Sequence, residues 1–224
     1  MIINIFSKYF NKILNFVYPK FCKSCDLLLD NNFVFCDKCW DNIKPIASLD
    51  INISLSKKIT VYAASSYSDP LKKLMFEKFY SKNVVFCKNL AFVMYKKTII
   101  KNLQLDYLVP IPLHWSRYAK RGYNQSEVIA KELSKLLNIP VLDILKRNKK
   151  TYYQSTLSVK DKYLNLKNAF DIKDKYKNKY LLKDKKILII DDLFTTGATV
   201  SNAATVLFKE FPESVDLVVA CRIV

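Results

Sequence analysis

Glycine is almost missing from this chain. Only Gly122 and Gly197 occur in 224 residues, where average usage would supply roughly 16. They stand 75 positions apart. A GxxxxGK[ST] phosphate loop and a GxGxxG dinucleotide fingerprint each need clustered glycines. Both are excluded, and P-loop NTPases and ordinary dinucleotide-binding enzymes go with them. Histidine is equally scarce: His114 stands alone, which removes HExxH and other histidine-rich metal catalysis. There is no apolar run of 18 residues, so no membrane-spanning helix is expected. The start of the chain lacks an uninterrupted apolar run and a small-residue cleavage site, so no secretion signal is expected and a reducing cytoplasm is.

What is present allows a sizeable core. Half the residues are hydrophobic and a quarter are charged. The length suits one domain of ordinary size with a small appendage. Lys plus Arg number 37 against 20 Asp plus Glu, a formal net charge of +17. Such a field attracts polyanions. Of the 37 basic residues, 33 are Lys and only 4 are Arg. That pattern is a compositional drift toward Lys and away from Gly and Arg. The arginines and glycines that remain therefore carry the most information.

Along the chain, residues 1–18 have Ile2, Ile5, Phe6, Tyr9, Phe10, Ile13, Leu14 and Val17 at helical spacing with Lys8 and Lys12 between them. The expectation is an amphipathic helix, packed on its own protein or lying on a membrane surface. Residues 19–45 form a cysteine module, and the Ser-rich residues 46–58 read as a linker. Residues 59–224 alternate strands and helices, the pattern of an α/β sheet. Strands are expected at 59–67, 108–112, 187–190 and 215–219. Helices are expected at 69–80, 83–101, 124–138 and 198–210, with Asp69 as N-cap and Pro70 opening the first of them. The apolar side of 124–138 would carry Val128, Ile129, Leu133, Leu136 and Leu137.

Cys22-x2-Cys25 and Cys36-x2-Cys39 are separated by ten residues. Two such turns let four thiolates converge tetrahedrally on zinc. Four thiolates leave no open coordination position, so a structural role is expected. Two disulfides are the competing reading, disfavoured in a reducing compartment. Cys87 and Cys221 sit among apolar residues and read as core.

The run Ile187-Leu188-Ile189-Ile190-Asp191-Asp192-Leu193-Phe194-Thr195-Thr196-Gly197-Ala198-Thr199 is the most informative. A buried parallel strand ends in two carboxylates. A Thr-Thr-Gly turn then opens a helix. Ligands of parallel sheets bind beyond the carboxyl ends of the strands, and loop N–H groups at a helix start hold phosphate. Two acids before a phosphate cradle suit a sugar phosphate. Upstream, Val109-Pro110-Ile111-Pro112-Leu113-His114-Trp115-Ser116-Arg117-Tyr118-Ala119-Lys120-Arg121-Gly122-Tyr123-Asn124-Gln125-Ser126 holds two arginines and the other glycine. Arg117 and Arg121 can offer bidentate donors to a second phosphate cluster. A basic surface loop is the plain alternative.

The IIDDLFTTGAT run resembles the phosphoribosyl-pyrophosphate (PRPP) signature of type I phosphoribosyltransferases. The combined order of CxxC pairs, VPIPLHWSRYAKRGYNQS, a Gln154…Leu157-Ser158…Asn165…Ala169-Phe170 segment and the acid–threonine run closely resembles the ComF family of competence-associated proteins. Departures are Phe194 in place of an aliphatic residue, Lys162 in place of Arg and Asn168 in place of Gly. The resemblance implies a type I phosphoribosyltransferase-like parallel sheet with helices on both faces. It implies that Asp191 and Asp192 meet ribose hydroxyls, that Thr195, Thr196, Gly197, Ala198 and Thr199 bind the 5′-phosphate, and that PRPP arrives with Mg²⁺. It also implies a cytoplasmic accessory protein of natural transformation, working on incoming single-stranded DNA near the inner membrane, where a DNA-translocating ATPase is the expected partner.

Residues 146–186 hold fourteen Lys or Arg against four Asp. Tyr152, Tyr153, Tyr163, Phe170, Tyr176 and Tyr180 are interleaved with them. Cations with aromatic rings suit single-stranded DNA, and Lys149, Lys150, Tyr152, Tyr153, Lys175 and Lys177 are the expected contacts. A solvated lysine face is the alternative. A phosphoribosyltransferase of nucleotide salvage remains the second functional reading, and no catalytic nucleophile is identifiable.

Overall fold

The computed structural model describes residues 19–29, 33–80, 84–148 and 169–223. The expected N-terminal helix lies outside them, as do Lys149, Lys150, Tyr152, Tyr153 and the segment from Gln154 to Asn168.

The central sheet is built from β3 (Leu49–Asn52), β4 (Lys58–Ser66), β5 (Tyr107–Pro110), β8 (Lys186–Ile190) and β10 (Ser214–Arg222), in the order β3-β4-β10-β8-β5. The last four run parallel, and β3 pairs antiparallel with β4 at the edge. A two-residue strand, β9 (Leu193–Phe194), adds to β10. The expected linker 46–58 thus contributes β3. Ile51 packs against the core, while Asp50 accepts from Thr60 Oγ1 at 2.9 Å and from Lys58 Nζ at 3.0 Å.

Both faces of the sheet are covered because its strands are apolar on both sides. Side chains alternate across a strand. In β8, Leu188 and Ile190 enter one core, and Ile187 and Ile189 the other. In β10, Val218 and Ala220 oppose Val215, Leu217 and Val219 in the same way. The first face is covered by α2 (Leu71–Tyr80), α3 (Val85–Lys97) and α5 (Gln125–Leu137). The second is covered by α6 (Ala198–Leu207) and a hairpin of β6 (Leu145–Arg147) and β7 (Phe170–Ile172).

Local expectations and structure agree closely for the long elements. Helix α2 starts one residue after Pro70, which sits in the preceding turn. Helix α5 buries Ile129 and Leu133, but Leu136 is exposed. Strand β5 stops at Pro110, though Ile111 N still donates to Ile190 O at 3.0 Å. Cys87 and Cys221 are fully buried. Phe170, one of the rings interleaved with the lysines of the basic block, is buried in the second core.

The described residues of 19–45 do not form a separate core. Short strands β1 (Lys20–Phe21) and β2 (Leu28–Leu29) pair, and α1 (Asp37–Asp41) follows. Leu29, Phe35 and Ile43 join the same core as α2 and α3. Phe33 makes edge contacts with Trp40 at 4.9 Å and with Phe92 of α3 at 5.2 Å. Lys97 of α3 lies over the Trp40 ring and donates to Trp40 O at 3.1 Å, satisfying a carbonyl at the end of α1.

Candidate functional site

The topology itself marks the site. The chain leaves β5 toward α5 on one face and leaves neighbouring β8 toward α6 on the other. Such a switch point opens a crevice beyond the strand ends. A cavity of about 220 Å³ lies there.

Its walls come mainly from three places, with Leu217 of β10 adding to them. The end of β8 supplies Asp191 and Asp192, and the following loop and helix supply Leu193, Phe194, Thr195, Gly197 and Thr199. The β5–α5 connection supplies Ile111, Pro112, Leu113, Arg117, Arg121, Asn124, Gln125 and Ser126. The β6–β7 hairpin supplies Arg147. Of the sequence-selected residues, Thr196 and Ala198 do not line it, and Ala198 is buried in the second core.

Asp191 is held by two donors on one oxygen. Ser126 Oγ donates to Asp191 Oδ1 at 2.9 Å, and Asp192 N donates to the same atom at 3.0 Å. Gly197 begins α6 at φ +76°, a left-handed conformation that L side chains resist. A Cβ there would meet Phe194 Cζ at 3.0 Å. The constraint on Gly197 is thus the neighbouring ring as well as the backbone angle.

The β5–α5 connection contains a short helix, α4 (Trp115–Arg121). His114 caps it: Nδ1 accepts from Ser116 N at 3.3 Å and lies 2.9 Å from Ser116 Oγ. The ring is buried, so this histidine is a capping residue. Gly122 closes α4 at φ +83°. A Cβ would meet nothing there, so only the backbone angle calls for glycine.

Three of the chain's four arginines line this one cavity. Arg147 is the one that motif reading misses. Burial pulls its guanidinium down to about 10, and the positive charge of Arg117 adds to this while Asp191 opposes it. It remains a cation at neutral pH. The scarcity of arginine in a lysine-rich chain is the signal that could have found it. Gln125, at the start of α5, is 3% exposed, and its Nε2 has no hydrogen-bond partner among the described residues. Three guanidiniums against two carboxylates leave the walls net positive, as an anion requires.

The four thiols of Cys22, Cys25, Cys36 and Cys39 lie within 4.8 Å of one another. Cys22, Cys36 and Cys39 are buried and Cys25 is exposed, with none disulfide-bonded. The cluster could hold a metal ion. Of the sequence-selected DNA contacts within the described residues, Lys177 bonds Asp174 at 2.9 Å and Asp171 at 3.2 Å. Lys175 lies over the Tyr176 ring at 4.6 Å.

Comparison with known proteins agrees with this geometry. The phosphoribosyl transferase domain family matches residues 123–222. Competence protein F of Haemophilus influenzae is 31% identical over 201 residues, covering 84% of each chain. DNA utilization protein YhgH of Escherichia coli is 27% identical, covering 90% of this chain and 83% of its own. Competence protein ComFC of Bacillus subtilis is 33% identical over 105 residues, 46% of this chain and 38% of its own. With a phosphoribosyltransferase-type sheet, a four-cysteine cluster and this extent of shared sequence, the chain belongs to the ComF family.

Proposed function

We propose that this chain is a cytoplasmic accessory protein of natural transformation that handles single-stranded DNA and carries a PRPP-binding pocket. The observation that carries the pocket is the convergence of Arg117, Arg121 and Arg147 with Asp191, Asp192 and the Gly197 turn on one cavity at the switch point. Thr195, Gly197 and Thr199 would cradle the 5′-phosphate at the start of α6. Asp191 and Asp192 would accept the ribose hydroxyls, and the arginines would take the pyrophosphate. Mg²⁺, when bound, neutralises pyrophosphate charge beside the two carboxylates.

The four-cysteine cluster suits structural zinc. At Zn–S distances of about 2.3 Å, the edge of a thiolate tetrahedron is about 3.8 Å. Cys25 Sγ and Cys36 Sγ are 3.7 Å apart. The DNA role is supported by the net charge of +17 and by relatives named for competence and DNA utilization. Among the described residues, no helix is long and apolar enough to cross a membrane. Salvage phosphoribosyl transfer uses the same pocket features and is the second reading. The deciding experiment compares transformation efficiency in a deletion strain, a complemented strain and one carrying Asp191→Ala with Asp192→Ala. Loss in the deletion strain supports the competence role. Loss in the double variant as well assigns the pocket to that role. Wild-type efficiency in the deletion strain would sink it.

A further inference from the structure

Helix α4 shows two chemistries in two directions. Arg117 and Arg121, one turn apart, border the cavity. Trp115 and Tyr118, three residues apart and therefore neighbours on a helix surface, are 72% and 49% exposed. Tryptophan is highly buried on average. An indole and a phenol left side by side in water call for a partner with flat apolar faces.

The platform is held still. The buried His114 ring caps the start of α4 and contacts the indole at 5.5 Å between centroids. Gly122 N donates to Tyr118 O at 2.7 Å at its end. Asn124 Nδ2 donates to Ile111 O at 3.0 Å and ties the connection back to β5. Rings on a pinned helix lose little freedom when a ligand stacks on them.

We propose that α4 is the contact surface for single-stranded DNA: bases stack on Trp115 and Tyr118, while the phosphates of the same strand are drawn by the chain's net charge of +17, leaving Arg117 and Arg121 to the pyrophosphate. This rests on the DNA-handling reading above and locates it. Charge complementarity selects the occupant. An apolar protein surface would use the rings and gain nothing from the net charge of +17. A single strand uses both, because every base has a stacking face and every link a phosphate. Lys177, one of the expected contacts in the basic block, is already engaged with Asp171 and Asp174. The strand would thus run past the mouth of the arginine-lined cavity.

The test uses the full zinc-loaded chain and a labelled oligothymidylate of about 20 nucleotides at low salt, long enough to exceed a typical single-domain site. Anisotropy reports binding, and tryptophan emission reports stacking. The chain has two tryptophans. Trp40 is packed between Phe33 and Lys97, so a quench on binding belongs to Trp115. Expected results are a quench in the wild type and an affinity loss of tenfold or more, about one stacked base, in the Trp115→Ala, Tyr118→Ala protein. Trp115→Phe should bind within about threefold and lose the quench, since a smaller ring still stacks. Wild-type binding with no quench, or with the same affinity in the double variant, would overturn the α4 assignment and leave DNA handling standing. No binding by the wild type at low salt would remove both. The quench is read on the wild type, so that arm of the test does not depend on how the variants fold.

Discussion

Ser126 Oγ donates to Asp191 Oδ1 at 2.9 Å across 65 positions of sequence. The bond joins the start of α5 to the end of β8, the two elements that diverge at the switch point. It orients the first of the two carboxylates. Ser126→Ala should leave the fold intact and weaken PRPP binding about ten- to a hundredfold, the effect of losing a hydrogen bond to a charged group. Calorimetry with PRPP and Mg²⁺ measures it; equal affinities would mean that Asp191 needs no support from α5.

Gly197 should respond to its neighbour as well as to its own backbone. Gly197→Ala should cost about 2–3 kcal/mol, part from the left-handed angle and part from the Phe194 ring 3.0 Å away. Adding Phe194→Leu should recover the steric part and leave the angular part. Urea unfolding of the four proteins of this cycle checks it, and strict additivity would show that the ring is not the obstacle.

Arg147 should matter more for ligand than for folding. It is a mostly buried cation facing the charge of Arg117. Arg147→Met relieves that repulsion, so the unliganded melting temperature should fall by no more than a few degrees. Affinity for inorganic pyrophosphate should fall at least tenfold. Arg147→Lys should recover little, because a point charge does not replace a planar fork. Isothermal titration of the three proteins decides it, with unchanged affinity in Arg147→Met as the contrary outcome.

Metal removal should reach beyond the cysteine module. Leu29, Phe35 and Ile43 share a core with α2 and α3. Burial pushes the Cys39 thiol up to about 12, so a metal must displace a proton there. Cys39→Ser should lower the melting temperature by roughly 5–10 °C, corresponding to about 2–3 kcal/mol. Trp40 emission should change with it. Elemental analysis of reduced protein should find one zinc per chain, and a metal-free wild type with the same melting curve would refute the structural role.

Asp174 should titrate unusually low. Hydrogen bonds from Lys146 and Lys177 pull its carboxyl down to about 2. The folded value lies below the unfolded one, so its contribution is complete above the ordinary 3.8 and is lost as pH falls toward 2. Asp174→Asn should flatten the acid limb of the stability curve in that window. The same pairing predicts that Lys177→Glu weakens DNA binding less than Lys175→Glu. Carboxyl NMR titration and salt-dependent binding are the measurements; an Asp174 midpoint near 4 would contradict both.

The local features were legible in the chain itself. Four apolar residues followed by two acids define β8 and its end because a strand buried on both faces cannot alternate. The period of Ile129 and Leu133 marks α5, and the spacing of four cysteines marks a metal cluster. These signals are short-range, set by backbone geometry and side-chain chemistry. What tertiary structure alone decided was convergence. Arg147 reaches the cavity only because the β6–β7 hairpin folds against α6. Phe170 enters the core and not a DNA surface, since its strand alternates Phe170 and Ile172 inward. Residues 49–52 become an edge strand because β4 leaves one side of its backbone unpaired. Trp115 and Tyr118 stay outside because α4 turns Arg117 and Arg121 to the cavity and leaves its other side to solvent. None of this follows from periodicity, because each depends on which distant surface arrives to share the burial.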